Sequence, residues 1–512
     1  MDNKKNIRWE VFIPAFSLML IAAIVGLVNN EALTSASNTF FNWSLDTFGW
    51  LYQYVTIACL IIVVVLMFSK VGNIRIGGED AKPKYTMFTW FAMTLTGGVA
   101  TGIVSWGLNE PLIYYGNVWG ELDGLGIEPF SAQAARFALG RSFYNWSFIP
   151  YALYGLAGVL VAYIYFNKKE KLNVTSTLVP LFGDKIKTGP VSAIIDTLSM
   201  LAIAIGLTSG LAMCIVLITS GLNSAYNIPT TLPLFIGVGV VIILLFTFST
   251  YVGIDKGLKL VGSMNAWFYY GLLLLLLIIG PTLYIFRNST AGMAEWLQNF
   301  WIWGLDPIDI GGAPLVRSWT LFDWAVWIAY APVTGIFLGQ ISYGRKIKDV
   351  LLINFVLPAI FGIIWFSIWG SYGLHMQMTG QVDLVGTIQN SNATMALFEF
   401  IKSLPLSAIL IPANLLIILV SFVTAADATS NNVASMCIKD IPIGSEAPGY
   451  LKVIWGATIG IVAIIMAAFG GGEQGVQGVK SLAAAGGFVV LFIFILQIIS
   501  AVKMFFFDDL VE

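Results

Sequence analysis

The feature that most constrains this chain is a succession of long apolar runs separated by short polar segments. A membrane-spanning helix needs about 20 mostly apolar residues. Runs of this kind predict twelve spans at 11–28, 51–69, 87–108, 146–166, 190–220, 232–249, 262–286, 322–341, 350–372, 405–436, 452–469 and 481–504. Of the 512 residues, 58% are hydrophobic and only 11% are charged, whereas about 25% are charged in an ordinary soluble domain. We therefore predict an all-α polytopic membrane protein.

The basic residues predict how the chain is oriented. Cytoplasmic segments of membrane proteins carry an excess of Lys and Arg, and most of the 26 basic residues fall in the two termini and in the loops that precede odd-numbered spans. We expect both termini to be cytoplasmic. Two further segments, 291–303 and 394–403, are too short to span a membrane and are predicted to lie along its surface as amphipathic helices.

Catalytic and metal-binding motifs are missing from the sequence. The single histidine, His375, and the three scattered cysteines argue against a histidine-based metal site, a cofactor site or a disulfide framework. No phosphate loop of the GxxxxGK[ST] type is present. The composition therefore disfavours an integral membrane enzyme, and it gives no indication of nucleic-acid binding.

Two predicted spans carry helix-weakening residues in their middle. The third contains three glycines within 96–102, and each weakens a helix by roughly 1 kcal/mol relative to alanine. The eighth contains Pro332 within 331–335, which removes a backbone hydrogen bond. Close packing or a simple kink would explain either one alone. Their spacing of five spans matches two five-helix repeats, and interrupted helices at matching positions favour a transport site.

Aromatic residues mark the fourth and eighth spans. At 100° per residue, Trp146, Tyr151 and Tyr154 occupy less than half of the circumference of a helix. In the eighth span one stripe is formed, at i, i+4, i+7 and i+11, by Asp323, Trp327, Tyr330 and Thr334, with Trp324 beside it. Such rings are typical of an interfacial belt or of a cage for a methylated ammonium ion.

Several stretches of the chain resemble the betaine/choline/carnitine transporter family. They are "SWGLNEPLIYY" (105–115), "NWSFIPYALYGLAGVLVAY" (145–163), "STLVPLFGDK" (176–185), "SWTLFDWAVWIAYAPVTGIFLGQISYGR" (318–345) and "FVTAADATS" (422–430). The resemblance extends over nearly the whole chain, and the helix-eight stretch is the most specific part of it.

The resemblance implies two leading helices in 1–86, a first inverted repeat of helices 3–7 in 87–286 and a second of helices 8–12 in 322–512, joined by a surface helix in 287–321. It also implies a homotrimer in a prokaryotic inner membrane, with alternating access around a substrate-binding aromatic box. By motif, the box is formed by Trp146, Tyr151, Tyr154 and Trp327. Tyr330 matches an aromatic position just outside it, expected to act as a gate, and Trp324 adjoins the same motif.

Departures from the family pattern bear on the substrate. Choline-selective relatives carry an acidic residue where this chain has Gly102, which argues against choline. Betaine carriers resemble G-x-G-x-G, but the central position here is Ala100, between the stiff β-branched Val99 and Thr101. Backbone N–H groups for a substrate carboxylate are then less available, so trimethylamine is a candidate beside glycine betaine.

The resemblance also implies sodium as the coupling ion. The candidate ligands are backbone carbonyls near Thr96 and Val99, the side chain of Thr424 and, at a second position, Thr208 and Ser209. The alternatives are exchange transport, a passive channel for methylated ammonium, or proton coupling through an intramembrane acid. Proton coupling would use Asp323 or Asp427, whereas Glu110 and Asp196 are interpreted as structural.

Overall fold

The computed structural model describes residues 6–98, 102–254, 257, 259–306, 312–443, 445–469 and 473–508. These residues are almost entirely helical, and the β-structure among them is limited to two isolated bridges, Ile7 with Ile438 and Arg75 with Lys346. The α-helices are α1 (Trp9–Val28), α2 (Asn30–Phe68), α3 (Met87–Gly98), α4 (Ile103–Gly116), α5 (Ala132–Asn145), α6 (Phe148–Phe166), α7 (Val179–Phe182), α8 (Pro190–Tyr226), α9 (Leu232–Val252), α10 (Lys259–Ile279), α11 (Thr282–Gly304), α12 (Phe322–Gln340), α13 (Ile347–Leu351), α14 (Leu357–Met378), α15 (Leu384–Asn390), α16 (Ala393–Lys402), α17 (Ser407–Met436), α18 (Gly449–Phe469) and α19 (Glu473–Phe506).

Among the described residues, eleven helical segments are long and apolar enough to cross a membrane. The predicted third span, 87–108, falls instead on the two shorter helices α3 and α4. The middle of the glycine-rich stretch, residues 99–101, lies outside the described residues. The all-α polytopic fold is thus confirmed, and a twelfth span requires α3 and α4 to be counted together.

The interruption predicted in the eighth span is wrong. Helix α12 continues through Pro332 to Gln340, although the proline removes one helical hydrogen bond. Close packing compensates for this loss, because a Cβ atom on Gly335 would lie only 2.7 Å from the Cβ of Ala157 on α6. The irregular backbone lies earlier, in a π-helical turn over Val316–Leu321 that leads into α12.

Several predicted boundaries are corrected. Helix α2 begins at Asn30 rather than near 51, because its polar first half packs as a helix although it lacks a span-like apolar run. The predicted span 262–286 ends at Ile279, and Pro281 then caps α11, whose second half contains the predicted surface helix 291–303. The short helix predicted at 394–403 is confirmed as α16.

The packing of the helices follows an internal two-fold pattern. Exchanging α3–α4 with α12, α6 with α14, α8 with α17, α9 with α18 and α10 with α19 maps most of the contacts among these helices onto one another. Thus α12 packs on α6 and α19, while α4 packs on α14 and α3 packs on α10. Five spans are an odd number, so two such units would cross the membrane in opposite directions, as the predicted inverted repeats require.

Both ends of the described chain lie at the same end of the bundle. The guanidinium of Arg8, just before α1, pairs with Asp196 of α8 at 2.7 Å. The other carboxylate oxygen of Asp196 accepts from the backbone N–H of Thr175 at 2.9 Å. Nearby, Ser500 of α19 donates to the carbonyl of Thr177 at 2.5 Å. Both chain ends lie on the same side when the number of membrane crossings is even. These contacts also agree with the structural interpretation of Asp196.

Candidate functional site

The site is built around a break between α5 and α6. The backbone leaves helical geometry at Trp146 (φ −119°, ψ 20°) and at Ser147 (φ −125°, ψ −124°). Helix α6 then begins at Phe148, with Pro150 in its first turn, where a missing N–H is tolerated. Trp146 therefore precedes the helix, and the helical-wheel angle predicted for it does not apply.

Four rings converge where α6 meets α12. The Trp327 ring on α12 lies 5.3 Å from that of Tyr151 at an interplanar angle of 84°, and 4.9 Å from that of Tyr154 at 52°. It lies 6.0 Å from the Trp146 ring at 80°. None of the four side chains is more than 9% exposed. The structure thus brings together the four residues predicted to form the aromatic box, and it places them inside the protein rather than in an interfacial belt.

The ring geometry suits adjacent walls of a cage. Edge-to-face pairs near 80° turn the electron-rich face of one ring across the edge of the next. A cation about 5 Å from two perpendicular faces would separate their centroids by roughly 7 Å. The observed separations of 5.3 and 6.0 Å are shorter. A small methylated cation would therefore fit after an outward movement of roughly 1–2 Å, and its attraction to the ring faces would favour that movement.

Tyr330 and Trp324 lie on different sides of α12. Tyr330, one turn after Trp327, packs against α8, where its ring leaves no room for a Cβ atom on Gly206. Trp324 is fully buried and faces Tyr144 of α5, with centroids 6.1 Å apart. Tyr330 therefore extends the row of rings that begins with Trp327, whereas Trp324 packs outside the four-ring cluster.

Two neighbours of the box were not predicted as site residues. The Phe366 ring on α14 lies 5.6 Å from that of Trp146. Nε1, at an edge of the Trp146 indole, donates to the carboxyl Oε2 of Glu110, on α4, at 2.6 Å. Nothing in the sequence marks Phe366. Glu110 carried a signal, because an acid within an apolar span is expected to have a partner.

The predicted sodium ligands near the first candidate position lie on helices that pack together, α3 and α17. The buried hydroxyl of Thr96 donates to the carbonyl of Ala92 at 2.7 Å, and that of Thr424 donates to the carbonyl of Val420 at 2.6 Å. The predicted ligand at Thr96 is the backbone carbonyl near it. At Thr424 it is the hydroxyl oxygen, which keeps lone pairs that could bind a hard cation. Val99, the remaining candidate here, lies outside the described residues.

The second candidate sodium position is placed differently. The hydroxyl of Thr208 donates to the carbonyl of Ala204 at 2.8 Å. Its side chain lines a small apolar cavity with residues of α1, α18 and α19, among them Met19 and Met466. Ser209 follows it on α8 and is also buried. The structure does not bring Thr208 to the interface between α3 and α17.

The two acids predicted as alternative proton carriers differ in their partners. Asp427 accepts a hydrogen bond from Ser249 of α9 at 2.5 Å. Asp323 lies one turn before Trp327 on α12. Within the described part of the chain, Oδ2 of Asp323 has no hydrogen-bond partner. Asp427 is therefore held between two helices, while Asp323 has an unused acceptor near the box.

Comparison with known proteins shows which family this chain matches. Residues 10–509 match the family model described as betaine/carnitine/choline family transporter. A glycine betaine transporter of Bacillus subtilis is 29% identical over 489 residues, which cover 95% of this chain and 93% of that protein. An ectoine/hydroxyectoine transporter of Virgibacillus pantothenticus is 26% identical over 472 residues, covering 92% of each.

A solved structure shares the fold at lower sequence similarity. It is a Na⁺-coupled sialic acid symporter in a substrate-bound, outward-open state, with a TM-score of 0.51 and 14% identity over 88% of this chain and 87% of that one. At this identity the likeness concerns the helical architecture alone. It agrees with the all-α membrane fold of the described residues.

Proposed function

Because the chain belongs to the betaine/carnitine/choline transporter family, we propose that it imports a small trimethylammonium-type compound by sodium symport. The observation that carries the proposal is the cluster of four buried rings, in which Trp327 of α12 contacts two rings of α6 and the Trp146 ring at the break before α6. Electron-rich ring faces attract a methylated cation, which is weakly hydrated, by about 0.5–2 kcal/mol per desolvated contact.

Trimethylamine and glycine betaine are the proposed substrates. Both present a methylated nitrogen to the box, and only glycine betaine also carries a carboxylate. The related transporters carry glycine betaine and ectoine according to their names. The β-branched residues Val99 and Thr101 in the glycine-rich stretch favour a ligand that needs few backbone N–H donors.

Alternating access follows from where the rings originate. Trp327 lies on α12, in the proposed second repeat, while Trp146, Tyr151 and Tyr154 lie in the α5–α6 segment, in the proposed first repeat. A rocking movement of one repeat against the other would widen the box toward one side of the membrane and then toward the other. Such a movement also supplies the small outward displacement that a bound cation requires.

Sodium is proposed as the coupling ion, with Thr96 and Thr424 as first candidates and Thr208 and Ser209 as second. The oxygens of the first pair lie on α3 and α17, helices of different repeats, so an ion between them would respond to the same rocking movement. Proton coupling is the alternative, and the unused acceptor of Asp323 is the observation that favours it.

The assembly and orientation are proposed on separate grounds. Helix α11 is not apolar enough to count among the candidate spans, and its residues Leu297, Trp301 and Ile302 are exposed. A homotrimer would cover such an apolar face in part, and lipid would cover the rest. The excess of Lys and Arg in the loops at the end that carries both termini supports a cytoplasmic location for that end, in a bacterial inner membrane.

The proposal is tested by binding and by transport. Calorimetry on the purified protein would measure the dissociation constants of trimethylamine, glycine betaine, carnitine and choline, first in sodium and then in potassium. We expect binding of at least one of the first two ligands, tighter in sodium. Saturable uptake into proteoliposomes that depends on a sodium gradient would support symport, whereas uncoupled conductance would indicate a channel.

A further inference from the structure

Glu110 contacts the aromatic box from outside. Its Oε2 accepts a hydrogen bond from Nε1 of Trp146 at 2.6 Å. Its Oε1 accepts from Nδ2 of Asn145 and from the hydroxyl of Tyr114, each at 3.0 Å. The side chain is buried. In each of these contacts the carboxyl group is the acceptor, and one of the three donors is a ring of the box.

Trp146 needs an external contact to fix its orientation. It lies at the break between α5 and α6, where the backbone is not helical, so the side-chain directions that a helix imposes do not constrain it. Phe366 packs along the indole at an interplanar angle of 35°, which limits tilting but leaves rotation within the plane of contact. An indole has a single donor, the Nε1–H, and Glu110 binds it.

Orientation matters because an aromatic ring attracts a cation with its face and repels it with its edge. We propose that Glu110 is a positioning residue of the aromatic box: it holds the Trp146 indole so that a face is presented to the methylated cation. This inference rests on the proposed function, since it assigns to Glu110 a role in the same binding site. It replaces the structural interpretation that the sequence suggested for this acid.

A purely structural role would have a different signature. Asn145 also accepts from Thr320 at 3.3 Å, and Thr320 accepts from Arg141 at 2.6 Å, so Glu110 ends a buried polar network. If Glu110 only satisfied this network, its removal would lower stability. The Nε1–H of Trp146 would then be of no special importance to binding. The experiment must therefore change that N–H and nothing else.

Replacing Trp146 by 3-benzothienylalanine, through nonsense suppression, puts a sulfur in place of the N–H and keeps the shape of the ring. We expect the dissociation constant for glycine betaine or trimethylamine to rise roughly threefold to fivefold, since one hydrogen bond is lost and the ring remains. The matched control is the same replacement at Trp369, which is buried and whose Nε1 has no partner among the described residues. That control is expected to bind as the parent does.

Combining the replacement with Glu110→Ala completes a double-mutant cycle. If Glu110 acts through the indole N–H, the benzothienyl replacement should have no further effect in the Glu110→Ala protein. Glu110→Gln keeps an acceptor oxygen, so it should weaken binding less than Glu110→Ala. If Glu110→Ala fails to fold, the comparison between positions 146 and 369 still tests the proposal, because both proteins retain Glu110.

Two results would overturn the positioning role. One is an unchanged dissociation constant for the benzothienyl replacement at position 146. The other is a combined variant whose fold-change in dissociation constant equals the product of the fold-changes of the two single changes. The proposed function has its own test in the same assay: if Trp327→Ala still weakens binding, the box stands and only the role of Glu110 is lost. If Trp327→Ala binds as the parent does, the box itself is wrong.

Discussion

The aromatic box and the first candidate sodium position are assembled in different ways. In the box, Trp327 contacts rings at three positions of the α5–α6 segment, at centroid distances of 4.9 to 6.0 Å. The hydroxyls of Thr96 and Thr424 instead donate to the carbonyl four residues earlier in their own helices. The box therefore depends on how α12 meets the α5–α6 segment, whereas each hydroxyl is positioned by its own helix.

The difference shows that the geometry supports a binding site at the box more strongly than at the first candidate sodium position. Four buried rings from α12, α6 and the break before α6 do not converge by local preference, so their meeting point calls for an explanation. A threonine hydroxyl bonded to the preceding turn is common in helices that bind nothing. The sodium position accordingly rests on the family resemblance, and changes in the two regions should affect different measured quantities.

Trp327→Ala should produce the largest effect, because it removes the one ring that contacts the other three. We expect a loss of about 2 kcal/mol of binding free energy, or roughly 30-fold in the dissociation constant. Calorimetry at saturating sodium would measure it. Trp327→Phe retains a ring face and serves as the control, with a smaller loss. Equal affinity of the alanine variant and the parent would contradict the box.

Trp146→Ala should rank second. The ring contacts Trp327 and Phe366, so its removal leaves two tyrosines and one tryptophan around the cation. We expect a loss of at least about 1 kcal/mol, or fivefold or more in affinity. The melting temperature without ligand should be recorded beside it. A fall in affinity that follows a general loss of folded protein would contradict a direct role of the Trp146 ring in binding.

Thr424→Val should change the sodium dependence instead of the affinity at saturating sodium. It removes one oxygen ligand and keeps the side-chain shape, so we expect the sodium concentration for half-maximal uptake to rise several-fold, on the order of 1 kcal/mol. Thr219→Val is the matched control, because Thr219 is also buried and donates to the carbonyl four residues earlier, at 2.9 Å. An identical sodium curve for Thr424→Val and parent would remove Thr424 from the ion site.

Thr208→Val should have the smallest effect of the four changes. Its side chain lines an apolar cavity, so we expect a smaller shift in the sodium curve than for Thr424→Val. Removal of a hydroxyl from apolar surroundings is expected to change stability by no more than about 1 kcal/mol. A larger sodium shift than that of Thr424→Val would move the ion site to the second candidate position and reverse the comparison.

The fold was largely predictable from the sequence because apolar runs of span length have few alternatives in a membrane. The predicted helix boundaries were wrong where a helix and its apolar run differ in extent. Helix α2 extends back to Asn30 through polar residues, and Pro332 does not interrupt α12. In both places tertiary packing decides the backbone, and hydropathy carries no information about packing partners.

Within the site, Tyr151 and Tyr154 were predictable because they share one face of a regular helix. The same angle argument fails for Trp146, because this residue lies at a helix break. Its place in the aromatic box is predicted by the family resemblance instead. Phe366 comes from a distant segment with no motif of its own. Contacts between elements far apart in the chain, such as that between Glu110 and Trp146, require the tertiary structure.

Helix α6 is buried on every side from Ile149 to Phe166, and this affects how the protein is made. Its principal neighbour, α12, is synthesised much later. Until α12 emerges from the ribosome, the aromatic face of α6 has only lipid, the translocation machinery or earlier helices to lie against. Assembly of the binding site is thus a late event in biogenesis, and a chain truncated before α12 would expose that face to quality-control proteases.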